Sequence, residues 1–262
     1  MKRYLRILAA YLKVNLQMDL MYRANLIINI LVNLMWLGWE LVSLGIIFSN
    51  TSTLGGWEFG HLIALLGVFR MVNMFVMAFI FPNTEQFNYS IGDGTFDYVL
   101  LKPVSSLFIV SITRIVVWRA WDLFLGIILL VIGIQMTAIY ASLLEIGAFV
   151  CLLFSGALVI YSLCIALISL TFWFVKFDNS MTILAALMDA GRYPATIYPP
   201  WLRIIVTFLI PIALATTVPM QVMRGELVPW QVLIYFVVGV ASFLLALMIW
   251  KQGLRRYSGA SA

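Results

Sequence analysis

Apolar residues run through this chain in long stretches that short polar stretches separate. Five of the apolar stretches are long enough to cross a bilayer as helices, at residues 25–48, 59–81, 107–136, 146–174 and 228–250. A proline-rich segment before the last of them supplies one more crossing. The pattern predicts an all-α, polytopic membrane protein with six transmembrane helices.

The proline-rich segment fits two arrangements. In the first, residues 178–193 form a short fifth span and residues 194–224 dip into the outer leaflet and return. In the second, residues 204–220 form the fifth span, which keeps Arg192 and Arg203 on the cytoplasmic side, as the charge rule favours. The prolines favour the first arrangement, because they would interrupt a continuous helix and such backbone is tolerated only when buried in protein or lining a cavity. They are Pro194, Pro199, Pro200, Pro211 and Pro219.

Residues 1–24 form an amphipathic segment ahead of the first span. Lys2, Arg6 and Lys13 fall on one stripe of a helix, with leucines largely opposite. A basic amphipathic helix of this kind is typical of the cytoplasmic membrane interface. Basic residues also follow the last span, whereas residues 49–58 contain none, so we expect both termini in the cytoplasm.

The longest polar interruption in the first half of the chain lies at residues 82–106. Pro82 is expected to end the second span. Gly94 permits a tight turn with positive φ, and Thr95 is placed to cap a short helix that Pro103 then ends. A plain loop would suffice to join two spans, so this helix indicates a surface that a soluble partner binds.

Charged residues also occur within the predicted spans: Glu40, Arg70, Arg114, Arg119 and Asp122. Charges at such depth are costly and are usually paired. Glu40 and Arg70 sit at similar depths in the first two spans, where either a structural ion pair or a substrate-facing role fits them. Arg119 and Asp122 are three residues apart on one helical face, which predicts an ion pair inside the bundle.

Small residues mark one face of the fourth span. Ser155, Ser162 and Ser169 recur there at heptad spacing. Small side chains let helices approach closely within a bilayer. We therefore expect another helix to pack against this ridge.

Composition agrees with a membrane protein and reveals no active site. Hydrophobic residues make up 64% of the chain and charged residues 10%, against about 25% charged in soluble proteins. The net charge of +5 reflects basic residues at the ends of apolar stretches, so nucleic acid is not an expected partner. Cys151 and Cys164 share one apolar stretch, and His61 is the single histidine, so we expect no disulfide, metal or cofactor site. No P-loop is present, and Arg192 is the expected partner of Asp189.

Two sequence patterns together resemble the membrane subunits of ABC exporters in the ABC type-2 permease family. One is IGDGTFDYVLLKPVSSLF between the second and third spans, and the other is RYPATIYPPWLRIIVTFLIPIALATTVPMQVMRG before the last span. The resemblance covers nearly the whole chain and implies one transmembrane domain over residues 1–262. It implies a coupling helix that docks on an ATPase through Gly94, Phe96, Asp97, Tyr98, Leu100, Leu101, Lys102 and Pro103. It also implies a re-entrant segment at residues 194–227, with Pro194, Pro199, Pro200 and Pro211 at an outer gate, and so favours the first arrangement.

The resemblance implies a permease subunit that exports a hydrophobic or amphiphilic substrate across a prokaryotic cytoplasmic (inner) membrane. The chain would not be an enzyme itself but would need a separate ATPase subunit and a second permease chain, identical or paralogous. An ion-coupled secondary transporter is an alternative, but it would show internal repeats of broken helices, and only one broken region is evident. A non-transporting membrane scaffold would explain the polar helix but not the charges deep in the spans.

Overall fold

The computed structural model describes residues 2–137, 139, 141–173, 184–185, 188–209 and 211–257. Nearly all of these residues are helical, and no strand occurs among them. The helices are α1 (Lys2–Met21), α2 (Arg23–Asn50), α3 (Phe59–Phe75), α4 (Phe81–Gly92), α5 (Phe96–Leu100), α6 (Ser106–Ile112), α7 (Ala120–Thr137), α8 (Leu143–Ser169), α9 (Pro200–Ile204), α10 (Ile212–Ala215), α11 (Thr217–Met223) and α12 (Pro229–Arg256).

Five helical segments are long and apolar enough to cross a membrane: Arg23–Asn50, Phe59–Gly92, Val117–Thr137, Leu143–Phe172 and Pro229–Arg256. The number rises to six if Pro200–Thr207 and Ile212–Met223, which meet at an angle of 65°, are counted as one bent span. The prediction of an all-α, multi-pass membrane protein is thus confirmed. Part of the short fifth span predicted at residues 178–193 lies outside the described residues.

The helix of the second span continues past Pro82 to Gly92, so the expectation that Pro82 ends this helix is wrong. A π-helical turn, Val76–Ile80, joins α3 to α4 and absorbs the proline within one helical run. Proline has no backbone N–H, which leaves a carbonyl one turn earlier without its usual partner. The carbonyl of Ala78 instead accepts a hydrogen bond from the backbone N–H of Val116 at 3.0 Å. The polar loop consequently starts after Gly92, about ten residues later than predicted.

The third span, predicted as one helix over residues 107–136, is broken between α6 and α7. Residues 113–116 are not helical, and a 3₁₀ turn at Val117–Arg119 leads into α7. Asn83 of α4 fills the break: its amide donates to the carbonyls of Ser111 and Arg114 at 3.0 and 2.7 Å, and its oxygen accepts from the Arg114 N–H at 2.8 Å. The break is stable because a neighbouring helix supplies the hydrogen bonds that helical geometry no longer provides.

The N-terminal helix α1 contacts the same break. Asn15 is buried and donates to the carbonyl of Thr113 at 3.2 Å, and Asp19 accepts from the backbone N–H of Trp118 at 3.2 Å. These two side chains are one helical turn apart on α1, so a single face of the helix serves both contacts. The predicted amphipathic helix is therefore attached to the bundle through polar side chains.

Glycines set the packing of α3 against α7. Gly60 and Gly67 of α3 face Gly133 and Gly126 of α7, which indicates antiparallel helices in heptad register. A Cβ atom on Gly67 would lie 2.5 Å from the carbonyl oxygen of Gly126, and a Cβ atom on Gly126 would lie 2.7 Å from that of Gly67. The two backbones are therefore in direct contact, as small-residue helix pairs in membranes are.

The serine ridge of α8 packs against α12. Ser155, Ser162 and Ser169 are all buried, and a Cβ atom on Gly239 of α12 would overlap the Ser155 hydroxyl. That hydroxyl donates to the carbonyl of Tyr235 at 2.8 Å. The close helix approach predicted from the serine spacing is present at this crossing.

Candidate functional site

Six charged side chains of alternating sign form a continuous network that extends from the interior of the bundle to its surface. In order of contact they are Asp189, Arg192, Glu40, Arg70, Asp122 and Arg119. At its centre, the guanidinium of Arg70 on α3 donates to Glu40 of α2 at 2.7 Å and to Asp122 of α7 at 3.0 Å. These three side chains are 6%, 11% and 2% exposed, so each carboxylate lies in a low-dielectric site with its counter-ion.

The outer members of the network are more accessible. Arg119 donates to the second oxygen of Asp122 at 3.2 Å, and its side chain is 26% exposed. Arg192 contacts Glu40 at 3.1 Å and donates to Asp189 at 2.8 Å, with its side chain 32% exposed. Three acidic and three basic groups give the network no net charge, which is the condition under which buried charges are tolerated.

Polar and aromatic neighbours fix the arginines in place. Asn33 of α2 donates to Asp122 at 2.8 Å and accepts from Arg70 at 3.2 Å, so it bridges the central ion pair. The guanidinium of Arg119 lies 4.5 Å from the ring centre of Trp118, and that of Arg192 lies 5.5 Å from the ring centre of Phe69. Such stacking suits the planar guanidinium and helps to set its orientation.

Several contacts of this network follow from the sequence, and others do not. The pairs Glu40–Arg70, Arg119–Asp122 and Asp189–Arg192 are present as predicted. Sequence reasoning missed the contacts Arg70–Asp122 and Arg192–Glu40, which join the separate pairs into one network. The Arg70–Asp122 contact could have been predicted from the similar depth of the charged residues in three different spans.

Arg114 lies apart from the network. It is exposed and belongs to the break between α6 and α7 rather than to a continuous helix. Among the described residues, moreover, no group of three histidine, cysteine or acidic side chains is arranged to hold a metal ion.

The aromatic side chain of Phe96 on α5 points into the protein, and the expectation that it contacts a partner is wrong. It is fully buried, with its ring centre 5.2–6.4 Å from those of Phe87, Phe172, Trp250 and Tyr257. Phe87 belongs to α4, Phe172 to the 3₁₀ turn that follows α8 and Trp250 to the last part of α12, and Tyr257 directly follows α12. Phe96 therefore anchors α5 to the ends of three long helices.

Three side chains in the second half of α5 and just after it are exposed. Tyr98, Leu100 and Leu101 have exposed fractions of 70%, 40% and 79%. Gly94 has a φ of +70°, as its predicted turn requires, whereas Thr95 makes no side-chain capping bond. These three side chains are therefore accessible, as the predicted docking role requires.

The remaining predicted docking residues surround these three side chains. Lys102 and Pro103 are exposed, and Asp97 is half-buried beside Tyr257. Burial and the adjacent Asp97 carboxylate raise the pKa of the Tyr257 phenol, so the phenol stays neutral in the physiological pH range. The charge that α5 presents to solvent therefore comes from Asp97 and Lys102.

The proline-rich segment contacts one loop, residues 51–58, near both of its ends. Near its start, Thr196 donates to the carbonyl of Gly55 at 3.0 Å. At its end, Arg224 donates to the carbonyl of Gly56 at 3.1 Å and stacks 4.3 Å from the ring centre of Trp57. Residues near the two ends of this segment consequently lie at the same end of the bundle.

The prolines of this segment stand at the starts of short helical pieces. Pro194 precedes a 3₁₀ turn, Pro199 precedes α9, Pro200 is the first residue of α9, and Pro211 precedes α10. Proline is well tolerated at these positions because the first N–H groups of a helix have no helical partner. Arg203 holds the fold of the segment by donating to three carbonyls, those of Ala195, Thr196 and Tyr198, at 2.7–3.3 Å.

One comparison with known proteins assigns the chain to a family. The family model described as "ABC-2 family transporter protein" matches residues 34–261. Neither the curated proteins nor the solved structures give a match to the chain. The family match covers most of the chain, including the charge network, α5 and the proline-rich segment.

Proposed function

The chain belongs to the ABC-2 family of transporter proteins, and on that premise we propose that it is the membrane-spanning permease subunit of an ATP-driven exporter. Members of this family normally work with an ATPase partner. The chain would pair with a separate ATPase subunit and with a second permease chain, identical or paralogous. The complex would move a hydrophobic or amphiphilic substrate across a prokaryotic cytoplasmic membrane, with both termini of the chain in the cytoplasm.

The contrast between buried and exposed side chains of α5 carries this proposal. Tyr98, Leu100 and Leu101 are exposed to a partner, while Phe96 is packed against Phe87 of α4, Phe172 just after α8 and Trp250 of α12. A partner that displaces α5 would therefore move the helices that Phe96 contacts. Rigid packing of this kind is what an element needs if it is to convert the movement of an ATPase into movement of the membrane helices.

Co-purification tests the docking surface. The double variant Leu100→Ala/Leu101→Ala should lose the ATPase activity that co-purifies with the tagged wild-type chain, because hydrophobic anchors supply most of the binding energy at an interface. A matched control is Leu143→Ala/Leu144→Ala. These adjacent leucines are 86% and 75% exposed at the N-terminal end of α8, whereas α5 lies near the C-terminal end of that helix. Equal ATPase recovery from the two double variants would contradict the docking role of α5.

The charge network favours an ATP-driven mechanism over an ion-coupled one. A secondary transporter requires buried acidic groups that can load a proton or a sodium ion. Glu40 and Asp122 are the buried carboxylates of the network, and each contacts two arginines, so neither is free to serve as a carrier site. Transport by the purified chain alone under an ion gradient would refute the exporter proposal.

We also propose that residues 194–224 are re-entrant from the outer face. The contacts that Thr196 and Arg224 make with one loop support this arrangement, because a complete crossing would separate the two ends of the segment. Cysteines at Pro200 and Glu226 should both react with an impermeant reagent from outside. Reaction at position 200 from the cytoplasm alone would instead make 204–220 an ordinary span.

Orientation is tested by the same reagent. A cysteine in place of Thr53 should react from outside, and one in place of Lys251 should react only after the membrane is permeabilised, since basic residues favour the cytoplasmic side. The reverse labelling pattern would overturn the proposed topology.

A further inference from the structure

A cavity of about 510 Å³ lies between α1, the start of α2 and the break that precedes α7. Polar, charged and interfacial aromatic side chains line it: Asp19, Tyr22, Asn25, Asn29, Arg114 and Trp118. Its volume is in the range of small-molecule sites, and it opens where the amphipathic helix α1 meets the first span. We expect that position to be at the level of the lipid head groups, where tyrosine and tryptophan are enriched.

Three polar side chains that line this cavity form no hydrogen bond or ion pair within the described part of the chain. The side chains of Asn25, Asn29 and Arg114 hydrogen-bond to no described residue, and Arg114 forms no ion pair there. Their neighbours Asn15 and Asp19, by contrast, are engaged with the backbone of the break. The folded chain therefore presents two amides and a guanidinium to the cavity without using them for its own stability.

These donors fit a phosphate group. A guanidinium binds phosphate oxygens through paired, charge-assisted hydrogen bonds, and amide N–H groups add further donors. Asn25 and Asn29 are one helical turn apart, so both reach the cavity from one face of α2. Asp19 contributes a carboxylate to the same cavity and uses one oxygen for the Trp118 N–H, which leaves the other for a cation.

The surroundings of the cavity suit a lipid rather than a soluble ligand. Met18 and Met21, which also line the cavity, are 54% and 71% exposed, and they provide apolar surface beside the polar groups. We propose that this cavity binds the head group of an amine-bearing phospholipid. The phosphate lies on Arg114, Asn25 and Asn29, the amine lies on Asp19, and the acyl chains lie along α1 and α2. The site does not depend on ATP coupling.

Lipid retention by the purified full-length chain tests the proposal. Native mass spectrometry with added phosphatidylethanolamine should show one retained lipid, and Arg114→Gln should weaken its binding about tenfold, because one charge-assisted contact is lost. The matched control is Arg23→Gln, which removes a nearby arginine that does not line the cavity. Thermal unfolding of both variants should match the wild type. If Arg114→Gln and Arg23→Gln retain lipid equally, no specific site exists.

Two further experiments test the amine contact and distinguish a lipid from a free head group. Asp19→Asn keeps an oxygen for the Trp118 N–H but removes the charge, so it should abolish the preference for phosphatidylethanolamine over phosphatidylglycerol. An unchanged preference would overturn the role of Asp19. Free phosphoethanolamine should bind far more weakly than the lipid, since it lacks acyl chains. Equal affinity would overturn the lipid as the source of the head group. None of these measurements requires the ATPase, so their failure is distinct from failure of the exporter proposal.

Discussion

Replacing Asp122 with asparagine removes the most deeply buried charge of the network. The carboxylate of Asp122 is 2% exposed and accepts hydrogen bonds from Arg70, Arg119 and Asn33. Without it, Arg70 keeps one carboxylate, Glu40, which it shares with Arg192. The network then carries an excess positive charge in a site that water reaches poorly.

The magnitude follows from that burial. Removing one partner of a buried ion pair costs about 3–5 kcal/mol, because the remaining charge stays uncompensated. For a chain of this size, 1 kcal/mol corresponds to roughly 2–4 °C, so Asp122→Asn should lower the Tm by about 6–20 °C. Arg119→Gln should lower it by only a few degrees, because a partly exposed ion pair contributes about 1 kcal/mol or less.

Double variants identify the true partner of Asp122. The three-residue spacing alone predicts that Arg119→Gln should rescue Asp122→Asn. The structure predicts otherwise: Arg70 is the buried partner, so Arg70→Gln should rescue Asp122→Asn and Arg119→Gln should not. The coupling between positions 70 and 122 should fall in the range of about 0.5–3 kcal/mol found for residues in contact.

Thermal unfolding in detergent, read by tryptophan fluorescence, measures the three single and two double variants on one scale. Fluorescence-detected size exclusion before heating verifies that each variant is folded. A Tm for Asp122→Asn within a degree of the wild type would refute the argument, since it would mean that the buried arginines do not need this carboxylate.

Three other substitutions, two of them with a control variant, test the structure by the same Tm measurement. Gly126→Ala should destabilise by about 1–3 kcal/mol, because its Cβ would lie 2.7 Å from a backbone oxygen of α3, whereas Gly38→Ala meets nothing within 4 Å and should not destabilise. Phe96→Ala should destabilise by about 3–5 kcal/mol by emptying a fully buried site, and the exposed Tyr98→Ala should not; equal effects would contradict the contrast between buried and exposed side chains of α5. Asn83→Ala removes the hydrogen bonds across the break before α7 and should destabilise by at least about 1–3 kcal/mol; no change would mean that other groups replace them.

The apolar pattern was sufficient to predict the membrane fold, because the bilayer requires each crossing to satisfy its own backbone in a helix. The same reasoning failed at Pro82 and at residues 113–116, where the hydrogen bonds come from other helices. Val116 donates to the carbonyl of Ala78, and Asn83 bonds the backbone of the break. Contacts of this kind depend on which helices are neighbours, and local sequence carries no such information.

The prediction of the short helix α5 was similarly successful in part. Its presence and its position between two spans were predictable from Gly94 and Pro103. Which of its aromatic residues faces inward was not, because Phe96 and Tyr98 are two residues apart and a helix of five residues is too short to show a periodic apolar pattern. Burial of Phe96 is decided by Trp250 and Tyr257, which lie more than 150 residues later in the chain.

The linear order of the charge network bears on how its sequence can change during evolution. Each interior member contacts two groups of opposite sign, so the loss of any single one leaves a neighbour uncompensated. Loss of two adjacent members, such as Arg70 and Asp122, keeps the network neutral. Natural variation in this family should therefore show these positions changing in adjacent pairs, with correlated substitution strongest between 70 and 122 and weaker toward the exposed ends at 119 and 189.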